Sequence, residues 1–202
     1  MKKKEVIIKK THLGKIIWSD SSDYLQKLED DTIDLIITSP PFALTREKAY
    51  GNKKGEEYLS WLKDFGEIFY KKLAPTGSLV IDFGGSWVPG APTRNLHQFK
   101  IPIIFVEELG FHLAQEFFWW NTSKMPNPAQ WVTVNRERIT DAVNYIFWFS
   151  KSEHPKADNR NILNAYSDKM KRLIKNKKYN ENKRPGGQSI SKVWAKDNGG
   201  AI

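Results

Sequence analysis

Thr32-Ile33-Asp34-Leu35-Ile36-Ile37 is a nearly unbroken apolar run that stops at Ser39-Pro40-Pro41-Phe42. A short run rich in β-branched residues reads as a strand covered on both faces, the pattern of a parallel sheet. Pro41 forces Pro40 into an extended conformation, and neither proline has an N–H to donate. The chain therefore leaves this strand through a rigid turn. That turn presents carbonyl oxygens, the Ser39 hydroxyl and the flat Phe42 ring.

The flanking pattern extends the same architecture. Residues 15–18 read as a short buried strand, and Asp20 stands where a polar side chain caps a helix. A polar loop is expected over residues 45–55. Tyr58, Trp61, Leu62, Phe65, Ile68, Phe69 and Leu73 recur at helical spacing, and Pro75-Thr76-Gly77 is expected to break that helix. Residues 78–83 form the next buried strand, closed by Gly84-Gly85. A helix is expected over residues 101–109, with Pro102 in its first turn and Gly110 as its stop. Residues 111–120 and 142–149 are aromatic strands, joined by a connection too long for a simple hairpin turn. This alternation predicts an open, mostly parallel α/β sheet. Ligands of such sheets sit at the carboxyl ends of strands, so Asp20, residues 39–42 and residues 82–85 should converge on one crevice.

Composition narrows the chemistry. The 202 residues contain no cysteine, which excludes disulfides, thiolate metal sites and a cysteine nucleophile. No two of His12, His97, His112 and His154 stand at metal-ligand spacing, so no metal is expected. No apolar run is long enough for a membrane span, and the protein is expected to be soluble and cytoplasmic. The net charge is +9, and it is unevenly placed. Residues 1–150 hold 19 basic and 18 acidic side chains, whereas residues 151–202 hold 13 and 5. The sequence thus divides into a balanced α/β domain, 1–150, and a basic segment, 151–202, suited to the phosphates of nucleic acid. A solvated basic tail is the plainer alternative.

The turn at Ser39 suits one kind of ligand, a planar ring with an exocyclic amine. Its acceptors would hold the amine hydrogens while Phe42 stacks on the ring. An aromatic amine is a poor nucleophile because its lone pair is delocalised. Acceptors pulling on its hydrogens favour a pyramidal nitrogen that can attack.

Residues 34–42, Asp-Leu-Ile-Ile-Thr-Ser-Pro-Pro-Phe, resemble the catalytic motif of amino-methylating DNA methyltransferases. The serine form resembles the N4-cytosine enzymes of restriction–modification systems, whereas the N6-adenine enzymes usually carry Asp or Asn there. Leu73-x-Pro75-x-Gly77-Ser78, Val80-x-Asp82-Phe83-Gly84-Gly85 and Trp120-Asn121-Thr122-Ser123-Lys124 resemble further family motifs. Residues 167–174 and 196–200 resemble parts of its target-recognition region. The resemblance implies a Rossmann-like S-adenosylmethionine-dependent methyltransferase sheet, partial and with circularly shifted motif order, followed by a basic target-recognition tail. It further implies that a cytosine of double-stranded DNA is flipped into the site and methylated at N4 by S-adenosylmethionine. Ser39, Pro40, Pro41 and Phe42 would be catalytic. Asp20, Thr38, Ser39 and Pro40 would touch the cofactor, and Asp82, Trp120 and Lys124 would line the target-base pocket. A helix cap for Asp20, a strand end for Asp82 and a core position for Trp120 are the ordinary alternatives.

In this branch the principal cofactor-binding strand follows the recognition region, and the sequence stops at Gly200-Ala201-Ile202, about where it should begin. The expectation is therefore a split or shortened methyltransferase, completed by a second polypeptide or prone to self-association. The alternatives are a non-catalytic DNA-binding module and an N6-adenine DNA methyltransferase. Expected DNA contacts are Arg136 and Arg138 in the long connection, and Lys169, Lys171, Arg172, Lys175, Lys178, Lys183 and Arg184 in the basic segment.

Overall fold

The computed structural model describes residues 6–43, 53–176 and 196–201. Chain contacts divide it into two units, Met1–Lys156 and Ala157–Ile202.

In the first unit, β1 (Val6–Lys10) and β2 (Lys15–Trp18) form an antiparallel hairpin. The strand expected over 15–18 is therefore present but not buried, with Ile16 and Trp18 exposed because the two-stranded hairpin has no second layer among the described residues. The short helix α1 (Ser21–Leu25) follows, capped by Asp20. A four-stranded sheet then forms in the order β3-β4-β6-β5 from β3 (Ile33–Thr38), β4 (Leu73–Phe83), β5 (His112–Trp120) and β6 (Val143–Ser150). Helices α2 (Gly55–Lys72) and α3 (His97–Glu107) connect the strands.

The sheet is mixed rather than mostly parallel. Among the described residues only β3 and β4 run parallel, and β6 inserts antiparallel between β4 and β5. The 21-residue connection 121–141 contains no crossover α-helix among its residues, so β6 returns beside β5 in the opposite direction. The alternation that signals crossovers ends with α3.

Nor is β3 covered on both faces. In its register with β4 and β6, Leu79, Ile81 and Phe83 share one face with Phe147 and Phe149. That face packs on Leu59, Leu62 and Phe69 of α2 and on Ile101 and Phe105 of α3, and it forms the core. Leu35 and Ile37 point to the other face, where they are 51% and 71% exposed. The apolar run was therefore a sound sign of a strand but not of two covering layers. β3 is an edge strand, with one face bare among the described residues.

Two boundaries also differ from expectation. Pro75-Thr76-Gly77 does not separate helix from strand. The chain is extended from Leu73, which pairs with Ile33, and the register then slips so that Leu35 pairs with Ser78. The slip takes up the Pro-Thr-Gly segment as an irregularity on the strand. α3 begins at His97, four residues before the expected start, so Pro102 lies inside the helix rather than in its first turn. Burial of Gln98, Ile101, Pro102 and Phe105 against the sheet holds that turn despite the missing N–H. Gly110 has φ of +78° just beyond the helix, as a stop signal requires.

In the second unit, a 3-10 turn (Asn159–Ile162) precedes α4 (Asp168–Asn176). Asn164 and Ala201 form an isolated bridge, and the Tyr166 hydroxyl accepts from the Asn198 N–H at 2.8 Å. Two sequence-distant segments, residues 164–167 and 196–201, are thereby joined.

Candidate active site

The end of β3 meets the end of β4 through one side-chain contact. The Ser39 hydroxyl donates to Asp82 Oδ2 at 3.2 Å, across 43 residues of sequence. The parallel register explains it. Thr38 stands opposite Ile81, so the next residue on each strand, Ser39 and Asp82, leaves the sheet at the same level. Because the Ser39 proton is directed at a carboxylate, its lone pairs remain to accept from a ligand.

The glycines after β4 make room for two side chains. A Cβ on Gly84 would lie 2.3 Å from the Phe42 ring, and one on Gly85 would lie 2.0 Å from an Arg94 guanidinium nitrogen. Phe42 is thus seated on the backbone of Gly84, beside Asp82.

Asp82 is half-buried, and burial pushes its carboxyl above the ordinary value. The Ser39 hydroxyl, the Asn144 amide and the Lys124 charge oppose that rise. Asn144 lies in β6 and is itself buried. Its Oδ1 accepts from Lys124 Nζ at 3.1 Å. Lys124 Nζ also lies 3.3 Å from Asp141 Oδ2, which Arg94 Nη1 binds at 2.7 Å. Burial tends to raise the Asp141 carboxyl, but the Arg94 hydrogen bond, the Val143 N–H and the two cations hold it below the ordinary value.

A cleft of about 400 Å³ opens beside the Ser39 turn. Thr38, Ser39, Pro40 and Pro41 form one wall, and Tyr24, Trp61 and Phe65 are among the residues opposite. Ser19 and Ser21 also line it, so the end of β2 and the end of β3 share this cleft, whereas Asp20, Phe42 and residues 82–85, expected in the same crevice, are not among its lining residues. The Asp20 carboxylate between those serines accepts from the Ser22 and Asp23 N–H groups and the Ser22 hydroxyl.

The remaining expected residues are more dispersed. Trp120 ends β5 opposite Val143 and is 72% exposed, and it is not among the residues lining the cleft. Arg138 donates to Pro92 O at 3.0 Å and to Glu137 O at 2.7 Å. Arg136, with φ of +56°, lies with Arg138 around a separate shallow depression. Lys169, Lys171, Arg172 and Lys175 are exposed on α4, whose Met170, Leu173 and Ile174 are half-buried. Lys178, Lys183 and Arg184 lie outside the described residues, as does most of the expected polar loop.

Sequence reasoning did not single out Arg94, Asp141 or Asn144. One signal was available for Asn144, an amide in an otherwise apolar strand. A buried amide there needs a partner.

Comparison with known proteins bears on the family and the fold. The profile described as DNA methylase, covering N6 and N4 enzymes, matches residues 33–200. The chain belongs to this family. It is 45% identical over 194 residues to the type II methyltransferase M.PvuII of Proteus hauseri, an alignment covering 95% of this chain and 58% of that protein. It is 35% identical over 75 residues to M.BglII of Bacillus subtilis, which covers 37% of this chain and 21% of that one. Among solved structures, the PvuII DNA methyltransferase described as cytosine-N4-specific superposes with a TM-score of 0.64 at 38% identity, over 78% of this chain and 60% of that one. The TTHA0409 protein of Thermus thermophilus shares the fold at a TM-score of 0.50 and 18% identity, over 77% and 58% of the two chains. The chain therefore spans less than two thirds of the length of these relatives, and it shares with them a mixed α/β methyltransferase sheet.

Proposed function

We propose that this chain provides the catalytic and target-recognition part of a DNA methyltransferase that transfers a methyl group from S-adenosylmethionine to N4 of cytosine in double-stranded DNA, in a restriction–modification system. The observation that carries the reading is the hydrogen bond from Ser39, which lines the cleft, to Asp82. The similarity to M.PvuII and to a cytosine-N4-specific structure supports the choice of base.

The chemistry follows from the donors and acceptors present. Ser39 Oγ and the Pro40 carbonyl accept the two amine hydrogens of a flipped cytosine, and Phe42 stacks on its ring. S-adenosylmethionine supplies the electrophilic methyl group when bound. As N4 gains that methyl it must lose a proton. Ser39 Oγ takes the proton while passing its own to Asp82 Oδ2. Burial has already raised the proton affinity of Asp82, which suits it to that role.

The cleft fits one end of the cofactor. Its aromatic walls and the Ser19, Ser21 and Thr38 hydroxyls suit an uncharged adenine, with Thr38, Ser39 and Pro40 in its wall and Asp20 between two of its lining serines. No carboxylate or glycine turn lines it among the described residues, so the ribose and methionine ends need further groups. The bare edge and exposed Leu35 and Ile37 of β3 offer a place for the polypeptide that supplies them, a cofactor-binding half or a second copy. A monodisperse monomer in sedimentation would count against that completion. The basic segment 151–202 and Arg136 and Arg138 would hold DNA phosphates, with residues 1–150 as the catalytic part. No helix among the described residues is long and apolar enough to cross a membrane; a cytoplasmic location suits a DNA substrate.

The test is methyl transfer by the purified chain with labelled S-adenosylmethionine and mixed-sequence DNA, with modified nucleosides identified by mass spectrometry. N4-methylcytosine is the expected product once the cofactor-binding part is supplied, lost in Ser39→Ala while DNA affinity is kept; product from the chain alone would show that it assembles a cofactor site unaided. N6-methyladenine would overturn the choice of base. Unchanged activity of Ser39→Ala would overturn its role. Salt-sensitive DNA binding without any methylated nucleoside from the chain alone would mean a half-enzyme, and only the same result with the cofactor-binding part supplied would leave a DNA-binding module.

A further inference from the structure

Behind the Ser39–Asp82 pair stands a second line of polar groups that crosses from one loop to another. Arg94, in the loop after β4, donates through Nη1 to Asp141 Oδ2 at 2.7 Å. The same carboxylate oxygen is 3.3 Å from Lys124 Nζ, in the connection between β5 and β6. Lys124 in turn donates to Asn144 Oδ1 at 3.1 Å and reaches the Val143 carbonyl at 3.4 Å. With its oxygen engaged by the ammonium, Asn144 has its NH2 left to favour the charged form of Asp82. Register places Asn144 and Asp82 on the same sheet face, since Asp82 pairs with Ile146 two residues along β6.

We infer that Asp141, clamped by Arg94, is a positioning residue that acts through Lys124 and Asn144 to hold Asp82 in line with Ser39. The inference rests on the proposed methyl transfer for its purpose, but not for its test. Three features support it. Asp82 Oδ1 is buried and has no hydrogen-bond partner of ordinary geometry among the described residues, while Oδ2 accepts from Ser39. An ammonium and an amide that favour the charged carboxylate supply what the hydrogen bonds leave out. Gly85 makes room for the arrangement: a Cβ there would lie 2.0 Å from an Arg94 guanidinium nitrogen, which would have to shift. Finally, Arg94 is held from a second direction, lying 5.2 Å from the centroid of the Trp87 ring. The charged group that acts on Asp82 is Lys124, with Ser39 and Asn144 as its polar neighbours and Asp141 and Arg94 one step beyond.

Asp141→Asn distinguishes positioning from a simple charge effect by the sign of one shift. If Asp141 acts only as a nearby negative charge, removing it makes Asp82 easier to ionise, and the Asp82 midpoint falls. If Asp141 holds Lys124 in place, its loss frees the ammonium and the Asp82 midpoint rises. The measurement is carboxyl-carbon NMR titration of the full 202-residue chain with labelled aspartate, Asp82 being assigned from Asp82→Asn. An upward shift is expected in Asp141→Asn and also in Lys124→Met, with Asp141→Glu staying near the native midpoint. A downward or absent shift in Asp141→Asn overturns the inference. The titration needs neither DNA nor cofactor, so it stands even where methyl transfer fails. Where transfer is observed, Asp141→Asn should lower kcat by about 100-fold, the scale of a misplaced catalytic group, with KM little changed.

Discussion

Ser39 at the end of β3 donates a hydrogen bond to Asp82 at the end of β4, and a parallel register brings the two to one level. The pair ties the rigid Pro-Pro turn to a carboxylate whose proton affinity is raised. Activity and stability are therefore expected to pull in opposite directions at Asp82.

Burial, the largest influence, disfavours the charged form of Asp82, so its folded pKa lies above the unfolded one. Its contribution to stability is then greatest in acid and is lost as pH rises through the folded value. Asp82→Asn removes this disadvantage at neutral pH. The variant is expected to melt at a higher temperature than the native chain near neutrality, with the gain shrinking as pH falls below the ordinary carboxylate range. Methyl transfer should fall in the same variant. Thermal denaturation across pH, paired with the transfer assay, checks both signs.

Gly84→Ala should disturb the seat of Phe42. The added Cβ would lie 2.3 Å from the Phe42 ring, well inside contact distance. The ring must move or the strand end must shift, at a cost of about 1–3 kcal/mol. Chemical denaturation measures that cost. A near-native midpoint would show that Phe42 moves aside freely, and transfer activity would then report whether its position matters.

Asp20 carries two separable expectations. Asp20→Ala loses the cap made to the Ser22 and Asp23 N–H groups and should cost about 1 kcal/mol. Asp20→Asn keeps a capping oxygen and should restore that stability. Calorimetric titration of the Asn variant with S-adenosylmethionine then reads the charge alone. Weaker binding is expected if Asp20 reaches the cofactor, and unchanged binding confines it to the cap.

DNA affinity should fall steeply with salt. Lys169, Arg172 and Lys175 are exposed on α4. Each that contacts a phosphate contributes about 0.9 to the slope of log affinity against log salt. Replacing all three with Ala should flatten that slope and weaken binding to all sequences alike. Fluorescence anisotropy over a salt series measures it, and an unchanged slope would place the phosphate contacts elsewhere.

Local chemistry in the sequence was enough for the strands at 15–18, 33–38 and 112–120, the long amphipathic helix before β4, the cap at Asp20 and the Ser39 turn, because each depends on neighbours in the chain. The position of a strand within a sheet does not. β3 carries the apolar run of a fully covered strand, yet it lies at an edge with Leu35 and Ile37 exposed. Tertiary pairing also decided that β6 returns antiparallel, and that Pro75-Thr76-Gly77 is absorbed into β4 rather than ending a helix. The same holds for the site. Ser39 and Asp82 were each legible as residues at strand ends, but their hydrogen bond depends on register. Arg94, Asp141 and Asn144 come from segments far apart in sequence. Only the packed sheet brings a buried amide, an ammonium and a clamped carboxylate together, because their partnership is set by distance in space, which no local pattern encodes.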